Sequence, residues 1–375
     1  MKFSVLFELQ CADPSPEGEA ETLRNCVEQA VEAERQGFDA VWAVEHHSLK
    51  WYAHMSAPEV FLTWVAAKTE RIRIGHGVVC MPFGYNHPLR VAEKAAMLDL
   101  LSGGRLNLGA GRGATRMEMS GFGVQKEDTY PQVEEALKII GNCWRDDVFE
   151  WHGLLDIEPR TVLPRPAQLP HPPLFLACTK DETVELAATF GIGALVLGFE
   201  GPDQVRTLRS IYDDAIAARD HSRFVSDHAN DHMAALCPTV VLDDGEEAFQ
   251  VGARGQKFFA EAIQHWNIGS PEPEVLPPGP DIREAVTEAR ERLVASMVEG
   301  GHPIPVIAAS TSPFNIDHAY GTPADAIDYV QRLADAGADE ILCIMQMGGV
   351  PHEASMETLR HYGETIIPHF RARGT

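Results

Sequence analysis

The sequence predicts a (β/α)8 TIM barrel carrying a long insertion between its seventh and eighth strands. Short β-rich runs alternate with amphipathic helices along the chain, the signature of a parallel sheet wrapped by helices. Eight such strands, each followed by helix, close on themselves more readily than they lie open. Only two stretches break the rhythm, 146–173 and 243–321, so residues 1–375 read as one domain with the second stretch inserted in it.

The elements follow in order. A first strand, 3–8, precedes a helix over 19–36 that Gly37 stops, and the second strand is 39–44. Pro58 and Pro88 each open a helix, because proline at the first turn gives up an N–H that has no partner there. The third strand is 72–80. The helix after Pro88 carries the stripe Val91, Ala95, Leu98 and Leu101 and ends at Ser102-Gly103-Gly104. Strand four (105–110), a long loop and a helix over 133–144 follow. Strands five to eight are 174–178, 194–197, 235–242 and 340–345, with helices at 181–190 and 202–218 and a last one at 353–369. The 243–321 insertion has its own helices and the runs Pro271-Glu272-Pro273 and Pro277-Pro278-Gly279-Pro280. At that place in a barrel it covers the active-site mouth, as a lid would.

Composition excludes several classes. The net charge of −24 repels phosphate backbones, and no basic patch offsets it, so nucleic acid is not expected as a partner. The seven cysteines contain no Cys-x-x-Cys pair, which speaks against a zinc ribbon or disulfide framework. No apolar run reaches the roughly 18 residues of a membrane span. The opening Met1–Glu8 is too briefly apolar for a signal peptide, so the expected compartment is the cytoplasm.

Barrel chemistry sits at the C-terminal strand ends. There the sequence places Glu8, Glu45-His46-His47, Val79-Cys80-Met81, Gly109-Ala110-Gly111-Arg112-Gly113, Thr179-Lys180, Phe199 and Gln346-Met347. Adjacent residues of a strand point to opposite faces, so one histidine at most looks inward, and a His-His metal pair is not expected. One imidazole beside a carboxylate suits acid–base work near neutral pH; packing at a strand end is the plainer reading. The glycines of 109–113 let a flat ring approach the backbone beside one guanidinium, but the Gly-x-Gly-x-x-Gly order of a dinucleotide site is not met. Thr179, Lys180 and Thr183 open a helix, where hydroxyls, free N–H groups and a cation form a phosphate seat or a simple cap. Trp42, Trp64 and Met117-Glu118-Met119 read as packing.

Taken together, these segments resemble the bacterial-luciferase-like flavin-dependent monooxygenases. The resemblance rests on Glu45-His46-His47, on 86–93 (Asn-His-Pro-Leu-Arg-Val-Ala-Glu), on 98–106, on Gly109–Gly113 and on Gly121-Phe122-Gly123, and more loosely on 183–191 and Gly321-Thr322-Pro323. It implies reduced FMN and molecular oxygen as reactants, an NAD(P)H:flavin reductase as the source of reduced FMN, and a homodimer. By the same resemblance His46 matches the catalytic histidine, and Val79-Cys80 matches a pair joined by a non-prolyl cis peptide beneath the flavin. Arg112, Lys180 and Thr183 match phosphate-side positions. Two departures stand out: Gly111 replaces a reactive cysteine, and Tyr130 replaces a second phosphate-binding arginine whose charge Lys180 restores. Light emission is therefore not implied.

Three rivals share parts of this pattern. One is a deazaflavin-dependent oxidoreductase of the same barrel family, another a non-catalytic flavin-binding relative, the third a Schiff-base lyase using Lys180. The mouth residues Phe7, Met81, Phe83, Phe199, Gln346 and Met347 point to a mostly apolar small molecule. Apolar stripes on the second and third helices (Val60, Trp64, Ala67; Val91, Ala95, Leu98) supply the dimer contact.

Overall fold

The computed structural model describes residues 1–277, 279 and 281–372, so Pro278 and Pro280 of the second proline run lie outside the described residues. The strands are β1 (Lys2–Phe7), β2 (Ala40–Ala43), β3 (Arg73–Cys80), β4 (Leu106–Gly111), β5 (Phe149–His152), β6 (Asp156–Arg160), β7 (Leu174–Cys178), β8 (Gly193–Val196), β9 (Met233–Val241), β10 (Ala319–Gly321) and β11 (Glu340–Ile344). Eight of them close a parallel barrel in the order β9-β11-β1-β2-β3-β4-β7-β8, with β8 pairing back onto β9. These are the eight strands read in the sequence. The antiparallel hairpin β5–β6 fills the first break, and short β10 extends the sheet beside β9.

The helices are α1 (Pro16–Arg35), α2 (Pro58–Ala66), α3 (Pro88–Ser102), α4 (Arg116–Gly121), α5 (Thr129–Asn142), α6 (Asp181–Phe190), α7 (Pro202–Ala218), α8 (Gly245–Ile268), α9 (Ile282–Glu299), α10 (Ile304–Thr311), α11 (Pro323–Asp335), α12 (His352–His361) and α13 (Ile367–Ala372), with a π-helical turn Tyr362–Ile366 joining the last two. Proline stands at the first turn of α2 and α3 as the sequence predicts, and Gly103 ends α3 with φ 70°, a left-handed conformation costly for a residue with a Cβ. Within the insertion α8 is shared between two cores. Its Phe258 and Phe259 enter the barrel core, while Ala253 and Ala260 pack with Ile282, Val286, Leu293 and Phe314 in a second cluster.

Large and small residues alternate across neighbouring strands inside the barrel. Trp42 pairs with Gly75 and Phe175 with Gly193. A Cβ on either glycine would strike its partner's ring, and the rings of Trp42 and Phe175 meet edge-on at 5.0 Å. Such pairing fills a small barrel without voids. Below this layer the buried Glu340 carboxylate accepts hydrogen bonds from Ser4 Oγ at 2.5 Å, Trp42 Nε1 at 2.9 Å and His232 Nε2 at 2.8 Å. Burial pushes Glu340 up, but His232, Ser4 and Trp42 together hold it below the usual carboxylate range.

Three sequence expectations need correction here. Val91, Ala95 and Leu98 are not a free stripe but part of this chain's own core. The apolar residues α3 leaves exposed are Met97, Leu100 and Leu101, beside exposed Val60 and Trp64 of α2. Phe7 packs outward against Phe61 of α2 (5.5 Å) and does not line the mouth, because β1 ends on it with its side chain turned to α2. The non-prolyl cis peptide lies at Gly77–Val78, not at Val79–Cys80. That is where β3 slips register against β4, between His76 and Val79, and where Gly77, lacking a Cβ, sits against Trp42 and Leu6. All seven cysteines are buried thiols, and no described helix is long and apolar enough to cross a membrane.

His232→Ala removes a hydrogen-bond partner of a buried carboxylate, so denaturant unfolding is expected to show a loss of about 1.5–3 kcal/mol. A loss under about 1 kcal/mol, the worth of an ordinary surface pair, would mean Glu340 does not need it.

Candidate active site

Glu45, His46 and His47 lie just beyond β2, in a loop and not on the strand, so the alternation expected for the two histidines does not govern them. Both rings are mostly buried and they diverge. His46 turns toward Glu8, Tyr52 and Glu118; His47 turns toward Glu45, Tyr85 and Phe122.

Glu118 organises the first group. It is the third residue of α4, whose Thr115 cap and Glu118 form a reciprocal capping box. Its carboxylate accepts from Thr115 N (2.9 Å), Thr115 Oγ1 (2.9 Å), His47 N (3.2 Å) and His46 Nδ1 (2.8 Å). Burial pushes Glu118 up, yet the hydrogen bond and charge of His46, with the Thr115 donors, bring it down to about 2. The carboxylate is thus ionised, and His46 Nδ1 carries the proton it donates. For His46, burial alone favours the neutral ring; Glu118, then Glu8 and Glu45, reverse this and raise its pKa. The other ring nitrogen, Nε2, faces Glu8 Oε2 at 3.9 Å. Sequence reasoning read Met117-Glu118-Met119 as packing and so missed Glu118; the signal was Thr115-x-x-Glu118 before a helix.

Glu45 anchors the second group. It accepts from Cys80 N (2.8 Å), Asn86 Nδ2 (2.9 Å) and His47 Nε2 (3.0 Å), fixing the end of β3 against the loop after β2. Val79 and Cys80 are buried at that strand end. Burial, helped by Glu45, holds the Cys80 thiol well above its ordinary range, so it is no nucleophile. The space left by Gly109 and Gly111 is taken by the side chain of Val78. Tyr85 stacks on His47 (5.7 Å), lies against Gly113, and its buried hydroxyl has no partner.

The predicted phosphate-side residues come together. Ala110 pairs with Leu176, so Arg112 and Thr179-Lys180 leave adjacent strand ends. The Arg112 guanidinium stands 5.5 Å over the ring of Tyr130. Thr183 Oγ1 accepts from Lys180 N (3.2 Å) and donates to Lys180 O (2.7 Å), so the hydroxyl is engaged in starting α6. Tyr130 and Thr183 share a groove of about 430 Å³ with Pro131, Glu134, Glu182 and Leu186. A depression of about 440 Å³ at the other end of the barrel, by Lys2, Asp39 and Arg73, is at the face that serves stability, and Arg73 is already bonded to Asn107, Leu106 O and Gln168. Of the predicted mouth residues, Met81, Phe199 and Met347 are buried near the strand ends, while Gln346 clamps the Gln10 backbone through two hydrogen bonds.

A closed eight-stranded barrel with an imidazole–carboxylate pair and cationic helix start at its C-terminal end defines a class of cofactor-using barrel enzymes. Residues 1–340 match the luciferase-like monooxygenase family, and the chain belongs to it. It is 29% identical over 276 residues to the oxygenase component of a flavin-dependent trigonelline monooxygenase from Acinetobacter baylyi, covering 71% of this chain and 72% of that one. It is 30% identical to an N-acetyl-S-alkylcysteine monooxygenase of Bacillus subtilis over 64% of this chain and 74% of the other. The crystal structure of the monooxygenase RslO1 from Streptomyces bottropensis superposes with a TM-score of 0.73 at 25% identity, over 99% of this chain and 100% of that one.

Glu118→Gln keeps a side chain able to cap α4 but removes the charge beside Nδ1. The His46 pKa is expected to fall, as read by NMR titration of its ring. An unchanged titration would show that Glu118 does not set the charge of the imidazole.

Proposed function

We propose that this chain is the oxygenase component of a two-component system, taking reduced FMN from a separate NAD(P)H:flavin reductase and using O2 to oxygenate a small, mostly apolar organic molecule. The observation that carries this reading is the His46–Glu118 pair facing the same barrel end as Arg112 and Lys180. The family membership and the relatives' flavin-dependent oxygenations support it. The absence of a Gly-x-Gly-x-x-Gly strand–helix turn speaks for an outside reductase.

The residues present fit the cofactor. Arg112, Thr179, Lys180 and Thr183 at the start of α6 would hold its phosphate beside Tyr130, and Val79 and Cys80 would border its ring, with Val78 filling the space beside Gly111. The unpartnered Tyr85 hydroxyl is the kind of buried polar atom that a bound group satisfies. When bound, reduced flavin supplies the electrons that activate oxygen. The protein's part is to exclude water and handle protons. His46 is oriented through Nδ1 by Glu118 and acts at Nε2 on the proton of the reacting oxygen. The insertion serves as the lid. Phe259 of α8 packs on Tyr52 (5.6 Å) and Phe199 (5.3 Å), and Trp266 Nε1 donates to Lys50 O at 2.9 Å, tying α8 to the loop that carries His46. Met81, Phe199 and Met347 give the substrate its apolar surroundings.

A deazaflavin is the alternative cofactor, because an F420-dependent glucose-6-phosphate dehydrogenase of Kineococcus radiotolerans is 32% identical over 46% of this chain. The test measures binding of reduced FMN, and product formed per flavin oxidised. His46→Ala is expected to lower product formation by about 100-fold or more with FMN binding little changed. Arg112→Ala is expected to weaken binding about tenfold to a hundredfold. Full activity in His46→Ala, or hydride transfer with reduced deazaflavin alone, would sink the reading.

The chain also acts as a homodimer in this proposal, through Val60, Trp64 and Ala67 of α2's face and Met97, Leu100 and Leu101 of α3, which together leave an apolar patch exposed. Sedimentation is expected to give a dimer at micromolar concentration and a monomer for Trp64→Glu combined with Leu101→Glu. A wild-type monomer would refute it.

A further inference from the structure

Glu8 follows β1 directly and is buried, yet it is not built like the other buried carboxylates of this chain. Glu118 has four donors, and Glu45 and Glu340 have three each. Glu8 has the Tyr52 hydroxyl as its hydrogen-bonding neighbour, and its Oε2 is buried without a partner 3.9 Å from His46 Nε2. A carboxylate kept for structure alone would be expected to collect donors, since an ionised oxygen without them is costly to bury.

The backbone around it is held under constraint. Leu9, Ser48 and Trp51 have φ of 56°, 61° and 68°, left-handed values that non-glycine residues seldom adopt, and they directly follow Glu8 and His47 or lie in the same loop. The two loops clasp each other: His54 N donates to Leu9 O (3.0 Å), Cys11 N to Trp51 O (3.2 Å), and His46 N to Met55 O (3.0 Å) within the second loop. Strain kept at three positions around one carboxyl–imidazole contact fits a geometry maintained for chemistry.

We propose that Glu8 is the buried proton store of this site, passing a proton from its Oε2 to His46 Nε2 after the imidazole has given its own to the reacting oxygen. The proposal rests on the acid–base reading of His46 above. The step balances: the Oε2–H bond breaks, the Nε2–H bond forms, and a Glu8 carboxylate is left beside an imidazolium. A side-chain movement of about 1 Å brings the two atoms into hydrogen-bond range. The titratable groups facing Glu8 are His46 and Tyr52 from the loop after β2 and Glu118 from α4. Burial raises the Glu8 carboxyl to about 7; the His46 charge and the Tyr52 hydrogen bond oppose this, and the Glu118 charge adds to it. Glu8 therefore holds its proton below about pH 7 and gives it up above, so the donor is lost as pH rises.

The test compares wild type, Glu8→Gln, Glu8→Asp and His46→Ala. Infrared titration of the enzyme without cofactor is expected to show a protonated carboxyl that ionises near pH 7 in wild type and is missing from Glu8→Gln. Product formation by wild type is expected to exceed that of Glu8→Gln about tenfold or more near pH 6, with the ratio shrinking toward one near pH 9. Glu8→Asp, which keeps the carboxyl, is expected to keep the slope with pH. No ionising carboxyl in wild type would overturn the proposal without any variant. A wild-type profile in Glu8→Gln, with activity lost in His46→Ala, would overturn the proton store alone. Full activity in His46→Ala would overturn the reading of His46 on which it stands.

Discussion

Four hydrogen bonds converge on the carboxylate of Glu118, and they arrive from separate parts of the barrel mouth. Two come from Thr115 and start α4; one comes from the backbone of His47 and fixes the loop after β2; one comes from the ring of His46. The same negative charge therefore folds a short helix, docks it on a neighbouring loop and fixes which ring nitrogen of His46 holds a proton. An ionised acceptor makes each bond stronger than a neutral one would. Without Glu118 the imidazole would have burial acting on it with less to oppose it, and α4 would have half a cap.

The architecture was legible in the sequence because barrel strands and helices differ in period. The helices 181–190 and 202–218 and the strand 174–178 match the structure to the residue. What pattern reading lost was local and three-dimensional. Phe7 and the stripe on α3 are apolar in any reading, and the sequence does not say which of two apolar neighbours faces inward at a strand end. The β5–β6 hairpin is short and mostly polar, so alternation in it was too brief to see. The register slip at Gly77–Val78 depends on how Trp42 fills the interior, a contact 35 residues away in sequence.

The site divides along the same line. His46, Arg112 and Lys180 could be proposed because motifs place them just beyond strand ends, and Thr183 because it lies in the first turn of the helix after one. The approach of Glu118, Tyr52 and Glu8 to His46 could not, because it brings together residues from separate elements. Even the pair of histidines was misjudged for a geometric reason: β2 stops at Ala43, and beyond the strand neighbouring side chains no longer alternate.

The interlocked rings of Trp42 and Phe175, each seated over a glycine and underpinned by the Glu340 network, fill the middle of the barrel. The molecule is in effect a vessel sealed at its base. On the proposed oxygenase reading, gas, protons and organic substrate would share the opposite end of the barrel, past α8. On that reading the order of entry matters, because what enters first would lie beneath what enters next.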